Sequence, residues 1–354
     1  MPFQIIRNDI TKVKADAIVN TANPKPIIGG GTDSAVYKAA GEAQLLEQRK
    51  AIGYIAPGQA VCTDAFALQA KYIIHTVGPV WTDGEHGERE TLHDCYWNAL
   101  DLAAELKCES IAFPLIATGV YRFPKDEALQ IALFEINRFL LQHDMLVILV
   151  VFDRKSFVLS EKLISGIDAF LEEHEVEALE EEEYWADYAD ERRRARIWRR
   201  NAERLSYGNA ERLSSDAAYG IGLPQGMQDE STLEEFLNKE EDSFRERLFR
   251  LIDEKGLSDP EVYTRACIDR KVFSKIRCNP DYQPKKSTAF ALAIALELNK
   301  QEMLDLLSRA GLTFSPSNTT DLIIEYFVTH HNYNVQQIDA ALFHYDQPTL
   351  FSDE

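Results

Sequence analysis

Cysteine is sparse and scattered: Cys62, Cys95, Cys108, Cys267 and Cys278 are the five in 354 residues, with no C-x-x-C pair and no metal-ligand spacing. That sets aside a disulfide framework and a zinc cluster, leaves reduced thiols, and gives no reason to expect a metal or cofactor. Long apolar runs are missing too, since none reaches the roughly 20 residues that cross a bilayer. The opening Met1-Pro2-Phe3-Gln4-Ile5-Ile6-Arg7 runs directly into a strand pattern without a signal-peptide profile. A cytoplasmic chain with no membrane partner is expected. No internal repeat or collagen-like tract occurs.

Positive charge is also short, with 38 Lys and Arg against 58 Asp and Glu for a net charge of −20. The deficit is uneven: residues 1–171 carry −5, residues 172–242 carry −12 and residues 243–354 carry −3. Together with a length that exceeds one ordinary domain, this predicts three parts with those boundaries. The middle part opens with E-E-H-E-V-E-A-L-E-E-E-E-Y-W, switches to R-R-R-A-R-I-W-R-R at Arg192 to Arg200, and loosens between Gly208 and Glu230. It reads as a charged helix followed by a flexible linker.

Two loops dominate the first part. N-T-A-N-P-K-P-I-I-G-G-G-T-D begins at Asn20, behind the apolar strand pattern Ala17-Ile18-Val19, and a helical pattern starts at Asp33. Gly29, Gly30 and Gly31 lack a Cβ that would hold a ligand away, and a helix N-terminus behind them carries partial positive charge. The arrangement suits a phosphate. The second loop repeats it: Ile111-Ala112-Phe113 as a strand, Ala117-Thr118-Gly119 as a tight turn, and a helix opening at Pro124-Lys125-Asp126. Two such loops can grip a diphosphate from both sides.

These segments resemble the macrodomain family. The resemblance is carried by N-D-I-T at Asn8 to Thr11, D-A-I-V-N-T-A-N at Asp16 to Asn23, G-G-G-T-D, Y-I-I-H-T-V-G-P at Tyr72 to Pro79, I-A-T-G-V-Y and V-V-F-D, in that order. It implies a three-layer α/β/α fold with a mixed, mostly parallel sheet, and ADP-ribose or an ADP-ribosylated substrate as ligand. By the same resemblance Asp9 accepts from the adenine amine, Ile10 packs near the ring and Phe152 stacks on it. Asn20, Gly29, Gly30, Gly31, Thr118, Gly119, Val120, Tyr121 and Arg122 would bind ligand, and Asn23 with Asp33 matches the distal-ribose pair of hydrolytic members. The implied activity is release of ADP-ribose from modified proteins or from O-acetyl-ADP-ribose, with ligand recognition without turnover as the alternative.

Physical chemistry alone leaves Asp33 open. A helix N-terminus stabilises the anion and lowers its pKa, whereas a bound diphosphate raises it. Orienting a water or a ribose hydroxyl, or serving merely as an N-cap, both fit the residue. Four positions depart from the family pattern: Ile28 and Ser34 are expected to reduce room beside the distal ribose, Ala117 stands where serine is common, and Arg122, where glycine is usual, fits a phosphate clamp, an obstruction or a residue pointing into solvent.

The third part reads as all-α. Helical patterns run over Ser243 to Lys255, Pro260 to Ala266, Arg270 to Arg277, Thr288 to Leu298 and Gln301 to Arg309, with two more between Thr319 and Phe343. S-D-P-E-V-Y-T-R-A-C-I-D-R-K-V-F-S-K-I-R resembles a lambda-repressor-like helix-turn-helix, although Tyr263 and Cys267 replace the usual small residue and glycine. Between Arg265 and Lys286 seven basic residues face two acidic ones. Arg270, Lys271, Ser274, Lys275 and Arg277 are the candidate nucleic-acid residues, with Lys285 and Lys286 beside them. DNA, RNA or a protein partner through residues 257–311 all remain consistent with this stretch. His330 and His331 lack a third ligand and read as loop residues.

Overall fold

Short β-branched runs alternate with amphipathic helices through the first 151 residues, and the computed structural model turns that alternation into a layered sheet. It describes residues 3–152, 157–175, 242–280 and 282–351. The charged stretch expected as a helix and linker over residues 172–242 lies almost wholly outside them. Six strands, β1 (Phe3–Arg7), β2 (Ala17–Thr21), β3 (Ala60–Asp64), β4 (Tyr72–Thr76), β5 (Ser110–Pro114) and β6 (Leu146–Val151), form one sheet in the order β1-β6-β5-β2-β4-β3. Every pairing is parallel except β3 with β4. The sheet is therefore mixed and mostly parallel, as expected.

Parallel strands buried on both faces read as continuous apolar runs, and β6 (Leu-Val-Ile-Leu-Val-Val) is the plainest case. One face, carrying Ile18, Ile73, Ala112 and Ile148, packs on α1 (Thr32–Ala40) and α2 (Glu42–Ile52) through Val36, Tyr37, Ala40 and Leu45. Against the other lie α3 (Glu88–Glu105) and α4 (Lys125–Leu140), with Tyr96 and Phe113 ring centroids 5.4 Å apart. This is the three-layer α/β/α arrangement.

The C-terminal region is helical throughout its regular structure: α5 (Phe244–Lys255), α6 (Asp259–Arg265), α7 (Arg270–Cys278), α8 (Lys286–Ala295), α9 (Lys300–Ser308), α10 (Thr319–Thr329) and α11 (Val335–His344). Its starts are well signalled. Ser243, Ser258 and Asn299 each form a reciprocal capping box with the glutamate three residues on, and Gly256 closes α5 in the left-handed conformation at φ 67°. Cys267, in the turn between α6 and α7, takes φ 51°, a conformation that glycine adopts without strain.

Residues 1–170 and 243–354 form one compact unit and residues 171–242 a second. Within the first, α11 lies along the edge strand β1. Arg7 pairs with Asp346 at 3.6 Å and stacks its guanidinium 5.9 Å from the Phe343 ring. Phe157 meets Phe343 edge-on at 4.9 Å, and the Tyr345 hydroxyl donates to Asp168 at 2.6 Å. Of the second unit, residues 171–175, which are helical, and residue 242 are described.

Candidate functional site

The carboxyl ends of β2, β5 and β6 open onto a cavity of about 520 Å³, the place where parallel α/β sheets bind ligands and a size that suits a small molecule. Both loops singled out in the sequence reach it. The wall is made by Asn8, Asp9 and Ile10 after β1, by Asn23 and Gly29 to Asp33 after β2, by Leu115 and Ala117 to Tyr121 after β5, and by Phe152 after β6.

The first loop is shaped around two side chains. Asn23 Nδ2 donates to the Ile27 carbonyl at 3.2 Å, and a Cβ on Gly29 would sit 2.6 Å from that nitrogen. A side chain at position 29 would displace the Asn23 amide. Gly31 caps α1 with φ 64°, a left-handed value that suits glycine. The Gly29 amide is not free for an anion, however, because it donates to Asp33 Oδ2 at 2.6 Å. Asp33 is 2% exposed and its other oxygen accepts from Asn20 Nδ2 at 2.6 Å. Burial raises the pKa of Asp33, against the lowering effect of the Asn20 and Gly29 hydrogen bonds and of the Arg49 charge. The sequence left that direction open, and burial decides it. Asp33 caps nothing: Gly31 holds the N-cap position.

Asn20 does not line the cavity. It is fully buried on β2 opposite His75 of β4, and its Nδ2 lies 3.1 Å from His75 Nδ1. An amide nitrogen that donates to Asp33 also donates here, so Nδ1 is the acceptor and Nε2 carries the ring proton toward Thr63 Oγ1 at 2.9 Å. Burial, with the Arg49 charge, pushes the His75 pKa down to about 3, which keeps the ring neutral. Asp33, Asn20, His75 and Thr63 thus form one buried chain beneath the cavity floor. In the sequence His75 stands out only as part of the Y-I-I-H-T-V-G-P segment.

On the second loop, Thr118 Oγ1 donates to the Leu115 carbonyl at 3.0 Å and Trp81 N to the Tyr121 carbonyl at 2.9 Å. Phe123 N closes back on Ala117 O at 3.1 Å, and Ile116 N reaches the Tyr96 hydroxyl at 3.1 Å. Burial and the Asp33 charge raise the Tyr121 pKa, which places the phenol in reach of the first loop's electrostatics. Ala117 and Arg122 both adopt positive φ, 63° and 55°. Arg122 is exposed and is not among the residues that line the cavity. Ile28 packs into the core and Ser34 is exposed; neither lines the cavity.

At the far end, Asp9 accepts from Thr11 N at 3.0 Å and Thr11 Oγ1 at 2.7 Å, both on Oδ1. The Thr11 hydroxyl and amide hold its pKa below the usual carboxylate range. Phe152 is 74% exposed.

In the helical region, Phe273 and Ile276 face inward and leave Arg270, Lys271, Ser274, Lys275 and Arg277 exposed on α7. Two cations counted with that surface are already engaged. Arg277 pairs with Asp259 and stacks 4.2 Å over Phe249, and Lys286 bonds the buried Asp321. Lys286 thus ties α8 to α10. Among the described residues, Asp83, His86 and Glu88 also bring three donor atoms within 4.8 Å of one another, at the start of α3. No helix among the described residues is long and apolar enough to cross a membrane.

Comparison with known proteins gives the fold a family context. The family model described as Macro domain matches residues 19–132. A macro domain-containing protein of Listeria monocytogenes is 45% identical over 173 residues, covering 47% of this chain and 98% of that protein. An O-acetyl-ADP-ribose deacetylase of Klebsiella pneumoniae is 44% identical over 171 residues, covering 46% of this chain and 96% of that protein. Among solved structures, the Oceanobacillus iheyensis macrodomain with ADP is similar at 39% identity and TM-score 0.41, covering 43% of this chain and 84% of that one.

Proposed function

The chain belongs to the macro domain family, and from that premise we propose that its α/β region binds ADP-ribosyl compounds and hydrolyses them, with O-acetyl-ADP-ribose or a modified acidic side chain as substrate. The adenine would lie between Phe152 and the floor near Ile10, its amine donating to Asp9 Oδ2, the oxygen that Thr11 leaves open. The diphosphate would run between the Gly30–Gly31 turn and the amides of Gly119 and Val120. This puts the distal ribose beside Asn23, Asp33 and Tyr121.

One observation carries the hydrolytic reading: a buried carboxylate with a raised pKa, held by two donors, stands next to Asn23 on the cavity wall. A carboxylate whose pKa moves toward neutrality is a better proton acceptor than one on an exposed cap. In ester cleavage, water attacks the acetyl carbonyl, the acyl C–O bond breaks, and the ribose oxygen leaves with a proton. Asp33 would accept a hydrogen bond from that water or from the ribose hydroxyl, while the Asn23 amide orients the ring. A relative of this chain is named for that reaction.

The non-catalytic alternative also has its own support: both Asp33 oxygens are already bonded and the residue is 2% exposed. The two readings separate on release of ADP-ribose from O-acetyl-ADP-ribose and from a mono-ADP-ribosylated acidic protein, measured beside calorimetric ADP-ribose binding. Hydrolysis predicts release by wild type and its loss in Asp33→Ala with binding retained. Binding without release sinks the hydrolytic reading, and full release by Asp33→Ala sinks the role given to that residue.

A nucleic-acid role for the helical region rests on the outward Arg270, Lys271 and Lys275 of α7. A gel shift across a salt series reads it directly, because phosphate contacts lose affinity steeply as salt rises.

A further inference from the structure

Among the described residues the largest fully buried side chain is Arg49, 1% exposed, on the inner face of α2. Its Nη1 donates to the Gly53 carbonyl at 2.9 Å and its Nη2 to the Asn23 carbonyl at 3.3 Å. Among the described residues, no carboxylate comes within ion-pair distance of it. A buried guanidinium served only by neutral carbonyls recovers little of the free energy lost on leaving water. The titratable groups that share its layer are Asp33 and the neutral phenol of Tyr37, four residues apart on α1, and neutral His75 from β4 lies on the same side of the sheet. Arg49 lowers the pKa of Asp33 and pushes His75 down, and burial lowers its own.

We propose that Arg49 is a positioning residue of this site: from beneath the cavity floor it fixes the Asn23 main chain and sets an unpaired positive charge behind Asp33. Asn23 and Asp33 stand on separate segments, the β2 loop and α1, and Arg49 acts on both from a third. It bonds the backbone of one and shares a low-dielectric layer with the other, so their relative placement and the ionisation of Asp33 both depend on it. A residue that merely filled the core would be replaceable by an apolar side chain of similar length with no effect on Asp33.

This inference rests on the hydrolytic reading, and its test separates the two. In the full, unliganded chain, Asp33 is titrated by carboxyl carbon NMR in wild type, Arg49→Met and Arg49→Lys. Turnover of O-acetyl-ADP-ribose is followed from pH 5 to pH 9. For Arg49→Met the Asp33 titration is expected to move up by about one pH unit, and the acid limb of kcat moves with it while KM changes less than about threefold. For Arg49→Lys the titration stays near wild type, but kcat falls at every pH because an ammonium cannot span both carbonyls. An Asp33 titration in Arg49→Met that superposes on wild type overturns the proposal. If Arg49→Met does not fold, Arg49→Lys decides: a shift as large as that expected for Met overturns it, and an unshifted titration with reduced kcat upholds it. The titration needs no turnover, so a wild type that hydrolyses nothing refutes the hydrolytic reading while leaving this measurement intact.

Discussion

Gly29→Ala puts the loop geometry to its sharpest test. The added methyl would lie 2.6 Å from Asn23 Nδ2 and 3.2 Å from Asp33 Oδ2, where ordinary contacts begin at about 3.5 Å. The amide must therefore retreat by roughly 1 Å, and the bond from Nδ2 to the Ile27 carbonyl at 3.2 Å goes with it. Losing one partly exposed hydrogen bond costs about 1 kcal/mol of stability, a shift of a few degrees in Tm for a chain of this size. Function should suffer more, because a displacement of about 1 Å in a positioning group can cost on the order of 100-fold in rate. Thermal unfolding, ADP-ribose calorimetry and ADP-ribose release measured on one preparation give the comparison. Gly30→Ala, where a Cβ meets nothing within 4 Å, is the companion for stability and should melt like wild type. If Gly29→Ala binds and releases ADP-ribose at wild-type levels, the close packing of Asn23 over Gly29 has no functional weight.

Arg122→Gly should stabilise the chain by about 1 kcal/mol, since it removes a bulky residue from φ 55°; urea unfolding that shows a lower midpoint would mean Arg122 makes a compensating contact. Buried His75, whose pKa falls from 6.5 to about 3 on folding, binds its proton in the unfolded chain first, so stability is full above pH 6.5 and declines as pH drops toward 3. Between pH 7.5 and pH 5 the loss from this one group is about 2 kcal/mol. The slope of urea midpoint against pH over that range should flatten in His75→Gln, and an unchanged slope would remove His75 as its source.

Much of the α/β architecture could be read from apolar runs and glycine loops, because both reflect local requirements: a strand buried on two faces, a backbone that must approach a ligand. The helices of the C-terminal region were legible for the same reason, from local apolar spacing. What escaped were relations set by tertiary packing. Asn20 reads as a loop-entry ligand residue, yet strand register turns it to His75 and away from the cavity. Arg49 sits in E-Q-R-K, a run indistinguishable from an exposed helix face, and only the packing of α2 against the sheet buries it. Ile28 and Ser34 were expected to crowd the ribose, but Ile28 packs into the core from the loop ahead of α1 and Ser34 is exposed on α1 itself. The direction of the Asp33 pKa depends on how much water the fold excludes, a quantity no local pattern contains.

The edge strand β1 has neighbours drawn from distant parts of the chain. Phe3 pairs with Val147, and Arg7 touches Phe343 and Asp346 near the other terminus. Contacts of such sequence separation form slowly, because a long loop must close before they repay its entropy. During synthesis, β1 would therefore emerge first and wait longest, an unpaired strand with apolar Phe3 and Ile5 until β6 and then α11 arrive. A chain cut short before α11 would leave that edge open, so aggregation of nascent or truncated forms, more than loss of the pocket, is the failure to which this topology is exposed.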